Sequence, residues 1–316
     1  MNTFLFQQML TYVADLPILE DWAEPRAFVN RIATAKPSDW LLPIVTCEAV
    51  GGAKNAAIPA MAAIALLQLS IILVDDILDE DPRGEHLLIG VGAASNQALA
   101  LQAASHEAIT YSSLSPQRQL ASVQKLNQMA LKTAFGQHLD THLAASETNY
   151  WQLVANKSCP YFSLAFFLGA VCGGAELETS ETFAKLGAIY GEIIQIQDDM
   201  SDVMATPVNP DWLQERLSLP ILFAQSVDHP QKTRFLQLRS QILDPDALAE
   251  AQQIIVSCGA VSYCIDQVLQ RYQKVQAIIS NLEPAQAEVI FPVFTDLVEP
   301  IYDLFEDFDL PKPINL

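Results

Sequence analysis

The stretch LLQLSIILVDDILDEDPRG, Leu66 to Gly84, joins an almost uncharged run to five carboxylates within seven residues. Carboxylates this close repel one another and lose hydration where they are partly buried. A chain that gathers them at the end of an apolar segment has a use for a positive partner there. The apolar part extends upstream: residues 57–74, AIPAMAAIALLQLSIILV, are 18 residues without a charge. That is near the length of a membrane-spanning helix. Pro59, Gln68 and Ser70 interrupt the run, and it ends in Asp75 and Asp76 with no aromatic or basic anchor. It reads as a helix surrounded by other helices in a large core, and no membrane span is expected.

The rest of the chain repeats helical spacing, with no sustained period-2 alternation. Ser115-Pro116 opens a helix carrying Leu120, Val123, Leu126, Leu131 and Leu139. Asp244-Pro245 opens another with Leu248, Ile254 and Ile255, and Gly259 stops it. Pro43, Pro160, Pro220 and Pro292 mark other boundaries. Twelve glycines in 316 residues and no Gly/Ser-rich linker suit a single all-α domain over 1–316. IGVGAAS, Ile89–Ser95, holds a lone GxG with no strand before it and is set aside as a dinucleotide loop. Seventeen Lys+Arg against 37 Asp+Glu give a net charge of -20, which excludes nucleic acid and anionic membrane surfaces as partners. Five cysteines (Cys47, Cys159, Cys172, Cys258, Cys264) without a CxxC pair read as reduced thiols of a cytoplasmic protein. The start, MNTFLFQQML, has no basic leader, so no signal peptide is expected.

A second acidic cluster explains the first. GEIIQIQDDMSDV, Gly191–Val203, again runs from an apolar helical segment into DDxxD. The two copies are Asp75, Asp76, Asp79 and Asp198, Asp199, Asp202. Helical spacing puts i and i+4 on one face with i+1 beside them, so each motif sets three carboxylates on one turn. One such patch is an ordinary solvated helix end; a duplicated one with the same lead-in is not. Oxygen-only ligand sets suit Mg²⁺, which keeps waters and shares its other positions with substrate phosphates. The expectation is two carboxylate patches holding metal, and the metal holding a polyphosphate.

In this sequence the two motifs are accompanied by GQHLD (Gly136–Asp140), Lys157-Ser158, Gln195 three residues before Asp198, and RLSLP (Arg216–Pro220). In this order the set resembles the trans-isoprenyl diphosphate synthases, the polyprenyl synthetases, over most of the chain. The resemblance implies an all-α bundle around a deep central cavity, with the two acidic motifs facing each other across its mouth, and a homodimer. It implies that the substrate is an allylic isoprenyl diphosphate, ionised to a carbocation and pyrophosphate. Mg²⁺ on the six aspartates, with Lys157 and Arg216, would neutralise the leaving group. Ser158 and Gln195 would stabilise the cation through oxygen dipoles.

The family's second basic site, which holds isopentenyl diphosphate, is depleted. Its GGKRxR-like segment is GGAKNA here (Gly51–Ala56): Ala53 and Ala56 replace basic residues and Lys54 remains. Gln68 looks like a further contact to that diphosphate. After the first motif one arginine is lost, leaving Pro82-Arg83-Gly84. Ile71 and Ser70, on the helix expected to line the cavity, are not aromatic, which leaves room for a substrate of farnesyl size or longer. Three readings stay open at this point. They are prenyl transfer to isopentenyl diphosphate or another acceptor, a terpene synthase acting on the allylic diphosphate alone, and a non-catalytic partner subunit. The dedicated cyclases' Asn/Asp-x-x-Ser-x-x-x-Glu motif is absent.

Overall fold

A computed structural model describes residues 2–17, 19–140, 142–213 and 218–307, and these contain helices and no strand. The α-helices in chain order are α1 Asn2–Ala14, α2 Ala23–Ala33, α3 Leu42–Ala49, α4 Ile58–Leu78, α5 His86–Ile89, α6 Val91–Thr110, α7 Pro116–Asp140 and α8 Glu147–Lys157. They continue as α9 Cys159–Cys172, α10 Leu177–Met204, α11 Pro210–Leu213, α12 Leu219–Ser226, α13 Lys232–Arg239, α14 Pro245–Ser257, α15 Ala260–Ile279 and α16 Pro284–Asp307. Contacts group the chain into two compact units. One holds Met1–Thr133, Pro160–Ala188 and Leu282–Ile290; the other holds Ala134–Cys159, Ile189–Asn281 and Phe291–Leu316.

In the first unit α4 is the centre, as its all-round apolarity demands. It packs on α1, α2, α3 and α6. Ala60, Ala62, Ala63 and Ala65 are fully buried, and α6 meets α4 with small side chains of its own, Ala94, Ala98, Ala104 and Ala108. Small residues on both sides let two helices approach closely and fill the gap without strain. The helix is long and apolar enough to cross a membrane, but most of it is buried against these neighbours, which is the core-helix reading. Gly169 of α9 permits another close crossing: a Cβ there would lie 2.4 Å from the Pro43 carbonyl oxygen of α3.

The second unit has its own core of Val203, Trp212, Ile221, Phe235, Leu238, Leu248, Ile254 and Ile255. α12 packs on α8, α13, α14 and α15. The start and stop read from the sequence hold for α14. The Asp244 side chain accepts a hydrogen bond from the Asp246 backbone N–H at 2.9 Å, Pro245 follows, and Gly259 closes the helix at φ +91°. α7 begins at Pro116 as expected. Pro292 is not a boundary: it lies inside α16, as does Pro300. Both prolines are exposed, while Phe294 and Val298 are buried, with Phe294 edge-on to Tyr190 at 5.9 Å. Burial of that apolar stripe outweighs the backbone hydrogen bonds the prolines cannot make.

Candidate active site

The first acidic motif ends α4. Asp75 and Asp76 sit in its last turn, and Asp79 caps it, its backbone N–H donating to the Asp75 carbonyl at 2.8 Å. All three are half-buried. Burial raises the Asp76 carboxyl above its ordinary range, and the Glu85 backbone N–H only partly offsets this. Gly84 is dictated by crowding, since a Cβ there would lie 2.5 Å from His86 Nδ1 and 2.9 Å from Asp76 Cβ. Arg83 does not reach inward. Its backbone N–H, Nε and Nη2 all donate to Asp81, at 2.7, 3.2 and 3.1 Å, and hold that carboxyl below its usual range.

The other residues assigned to the second diphosphate are also engaged. Lys54 pairs with Glu48 at 2.9 Å. The Gln68 amide oxygen accepts the indole N–H of the fully buried Trp40. Ala53 and Ala56 are exposed. Ser70 is buried in the packing of α4, and Ile71 is half-buried. Glu48 and Trp40 were invisible in the sequence, because no spacing rule links them to the residues they hold.

In the second unit two motifs become one contact. Gly136 brings α7 against the end of α8: a Cβ there would lie 2.6 Å from the Lys157 backbone nitrogen. One turn on, Asp140 accepts a 2.6 Å hydrogen bond from Lys157 Nζ, with the carboxylate 8% and the lysine 24% exposed. Lys157 is the last residue of α8, where the helix dipole also favours a cation. Next to it, Ser158 Oγ donates to the Gln195 amide oxygen, Gln195 Nε2 donates to Asp199 Oδ1 at 2.8 Å, and Asp199 Oδ2 accepts the Leu219 backbone N–H at 2.8 Å.

The second acidic motif is therefore not three carboxylates aimed alike. Asp198 is exposed, Asp202 half-buried, and Asp199 only 2% exposed. Successive residues on a helix diverge by about 100°, which is the physical reason. Burial raises the Asp202 carboxyl. Tyr150, which the sequence did not flag, is buried beside Asp199, and burial together with that charge pushes its hydroxyl well up. Arg216 lies outside the described residues.

Oxygen-only donors at Asp75, Asp76, Asp79, Asp198 and Asp202 suit a hard divalent cation. Among the described residues no three His, Cys, Asp or Glu side chains converge to hold a metal ion. Asp75, Asp79 and Asp198 each have interactions within the protein.

Comparison with known proteins identifies the family and the fold. A family model described as polyprenyl synthetase matches residues 38–256, over half the chain and inclusive of both acidic motifs. A short chain isoprenyl diphosphate synthase of Methanothermobacter thermautotrophicus is 26% identical over 273 residues, covering 81% of this chain and 83% of that protein. Geranylfarnesyl diphosphate synthase of Aeropyrum pernix is 26% identical over 270 residues, covering 78% and 84%. The crystal structure of geranylgeranyl pyrophosphate synthetase from Pyrococcus horikoshii has a TM-score of 0.80 at 19% identity, covering 94% of this chain and 95% of that one. The fold is the all-α fold of these synthases.

Proposed function

The chain belongs to the polyprenyl synthetase family, and from that premise we propose that it is a Mg²⁺-dependent prenyltransferase that ionises an allylic isoprenyl diphosphate and passes the prenyl group to isopentenyl diphosphate. The observation that carries this reading is the paired set Asp140–Lys157 and Ser158–Gln195, held next to one another inside the matched segment. Bound Mg²⁺ would supply the charge that lets pyrophosphate leave. Of the six aspartates expected to hold it, Asp75, Asp76, Asp79, Asp198 and Asp202 keep that assignment, while Asp199 is buried and hydrogen-bonded within the protein. Lys157 adds a fixed charge on the leaving group, and Asp140 holds the ammonium in place without neutralising all its donors. Ser158 and Gln195 turn oxygen dipoles toward the allylic cation. Arg216 keeps its assignment to the leaving diphosphate. We further infer that the two units act as one catalytic domain.

The state of the basic residues supports a second reading of the acceptor. Lys54 and Arg83 are both tied to carboxylates, Glu48 and Asp81. A weakly held isopentenyl diphosphate would leave the cation to another acceptor or to cyclisation. Five free cysteines suit a reducing cytoplasm. Exposed Leu88, Val91 and Leu99 on α5 and α6 suit a homodimer.

The test is pyrophosphate release from geranyl or farnesyl diphosphate with Mg²⁺ and isopentenyl diphosphate. Parent protein should release it, and Asp75→Ala or Asp198→Ala should not. Release by both variants at the parent rate would overturn the assignment.

A further inference from the structure

We infer that Asp199 is not a metal ligand but a positioning residue, which fixes the direction in which the Gln195 amide points. The inference rests on the prenyl-transfer reading above for its catalytic consequence, and on geometry alone for the position of Asp199. Its carboxylate is 2% exposed, and each oxygen is taken by a protein donor: Gln195 Nε2 at 2.8 Å and the Leu219 N–H at 2.8 Å. Leu219 is the first residue of α12, and the side chain of Ser218 before it makes no capping bond. Asp199 therefore caps α12 from α10, as an N-cap carboxylate would from within the chain. Tyr150 and Cys264 close around the same carboxylate. Burial pushes the Cys264 thiol up to about 12, and the Asp199 charge adds to it.

The polarity of the chain follows from one rule. A carboxylate only accepts hydrogen bonds. The Gln195 NH₂ must then face Asp199, and its oxygen must face Ser158, whose hydroxyl donates to it. Asp199 thus decides that an oxygen, and not an NH₂, is presented beside Ser158. Asparagine at this position would reverse the order. The Leu219 N–H claims the one amide oxygen, so the new NH₂ falls on the Gln195 side. Gln195 must turn over and offer its own NH₂ beside Ser158, a dipole of the wrong sign for a developing cation.

The rule also prescribes a rescue. Asp199→Asn with Gln195→Glu exchanges the two groups at constant charge and nearly constant shape. The carboxylate, now at position 195, accepts from the new amide and again presents an oxygen to Ser158. Three readouts separate the alternatives: kcat and KM for farnesyl diphosphate, Mn²⁺ affinity by titration calorimetry without substrate, and metal-free melting temperature. Asp199→Asn should lose about 10²-fold in kcat, the size of effect seen when one preorganised dipole is removed. Its KM and Mn²⁺ affinity should stay within about threefold of the parent values, a margin of under 1 kcal/mol. Gln195→Glu should be harmful in the parent, where it sets two carboxylates together, and beneficial in Asp199→Asn, where it should restore at least about tenfold in kcat, a coupling between neighbours that changes sign. If Asp199→Asn does not fold, the double variant decides alone: it should melt near the parent and bind Mn²⁺ as the parent does.

A tenfold or greater loss of Mn²⁺ affinity in either variant would make Asp199 a ligand and overturn the proposal. Failure of Gln195→Glu to improve the Asp199→Asn protein, or a double variant that does not fold, would overturn it too. A parent protein that turns over no allylic diphosphate would instead remove the prenyl-transfer reading, and the Mn²⁺ and melting results would still place Asp199.

Discussion

At the scale of single residues, several charges of the site are held by partners within the protein, Lys157 and Asp199 among them. Asp140 is there for Lys157, and removing it leaves an ammonium three-quarters buried without its counter-charge. Asp140→Asn should cost about 1–2 kcal/mol in a denaturant titration, discounted for the lysine's exposure. It should also lower kcat, through a mobile Lys157. The depleted second site gives the opposite kind of prediction. Ala53 and Ala56 are exposed, so Ala53→Lys with Ala56→Arg has room for two charge-assisted contacts to a diphosphate. At about 1.5 kcal/mol each they should lower KM for isopentenyl diphosphate by about 10²-fold. Glu48→Gln, which releases Lys54 from its ion pair, should act in the same direction and less strongly. An unchanged KM in both proteins would mean that Lys54, Gln68 and Arg83 already hold the acceptor.

At the scale of the elements, the helices show what a sequence can and cannot announce. Asp244, Pro245 and Gly259 mark α14 because capping chemistry is local, and the apolar run of α4 declares a buried helix for the same reason. Pro292 misled because α16 is held by distant partners such as Tyr190, which a local rule does not weigh. The acidic motifs were legible as composition, whereas the inward turn of Asp199 was not: it depends on Leu219 and Tyr150 coming to it from other helices. Packing yields two further predictions. Gly136→Ala forces a Cβ against the backbone of α8 and should cost about 1–3 kcal/mol, with loss of activity beyond the loss of fold. Ser70 is buried, so Ser70→Phe should overpack α4 by a similar amount, seen as a lower melting temperature. Ile71 is half-buried and is the better place for an aromatic residue. Ile71→Phe should shorten the preferred allylic substrate; a parent-like preference would show that this face of α4 does not meet the chain.

At the scale of the whole molecule, two apolar cores of different composition, one around α4 and one around Trp212 and Phe235, hold an acidic motif each. Both cores are built from apolar side chains, and the net charge of -20 makes cations the natural partners. Chelation should therefore abolish turnover while far-ultraviolet circular dichroism and the melting transition survive. Loss of both together would mean that the metal is structural. The most direct measurement of prenyl transfer is product identity. The protein is incubated with farnesyl diphosphate and Mg²⁺, with and without isopentenyl diphosphate at high concentration, and the products are identified by mass spectrometry. Prenyl transfer predicts a diphosphate one five-carbon unit longer, formed only when both substrates are present. Hydrocarbons or alcohols formed from farnesyl diphosphate alone, with no longer diphosphate in either mixture, would contradict it.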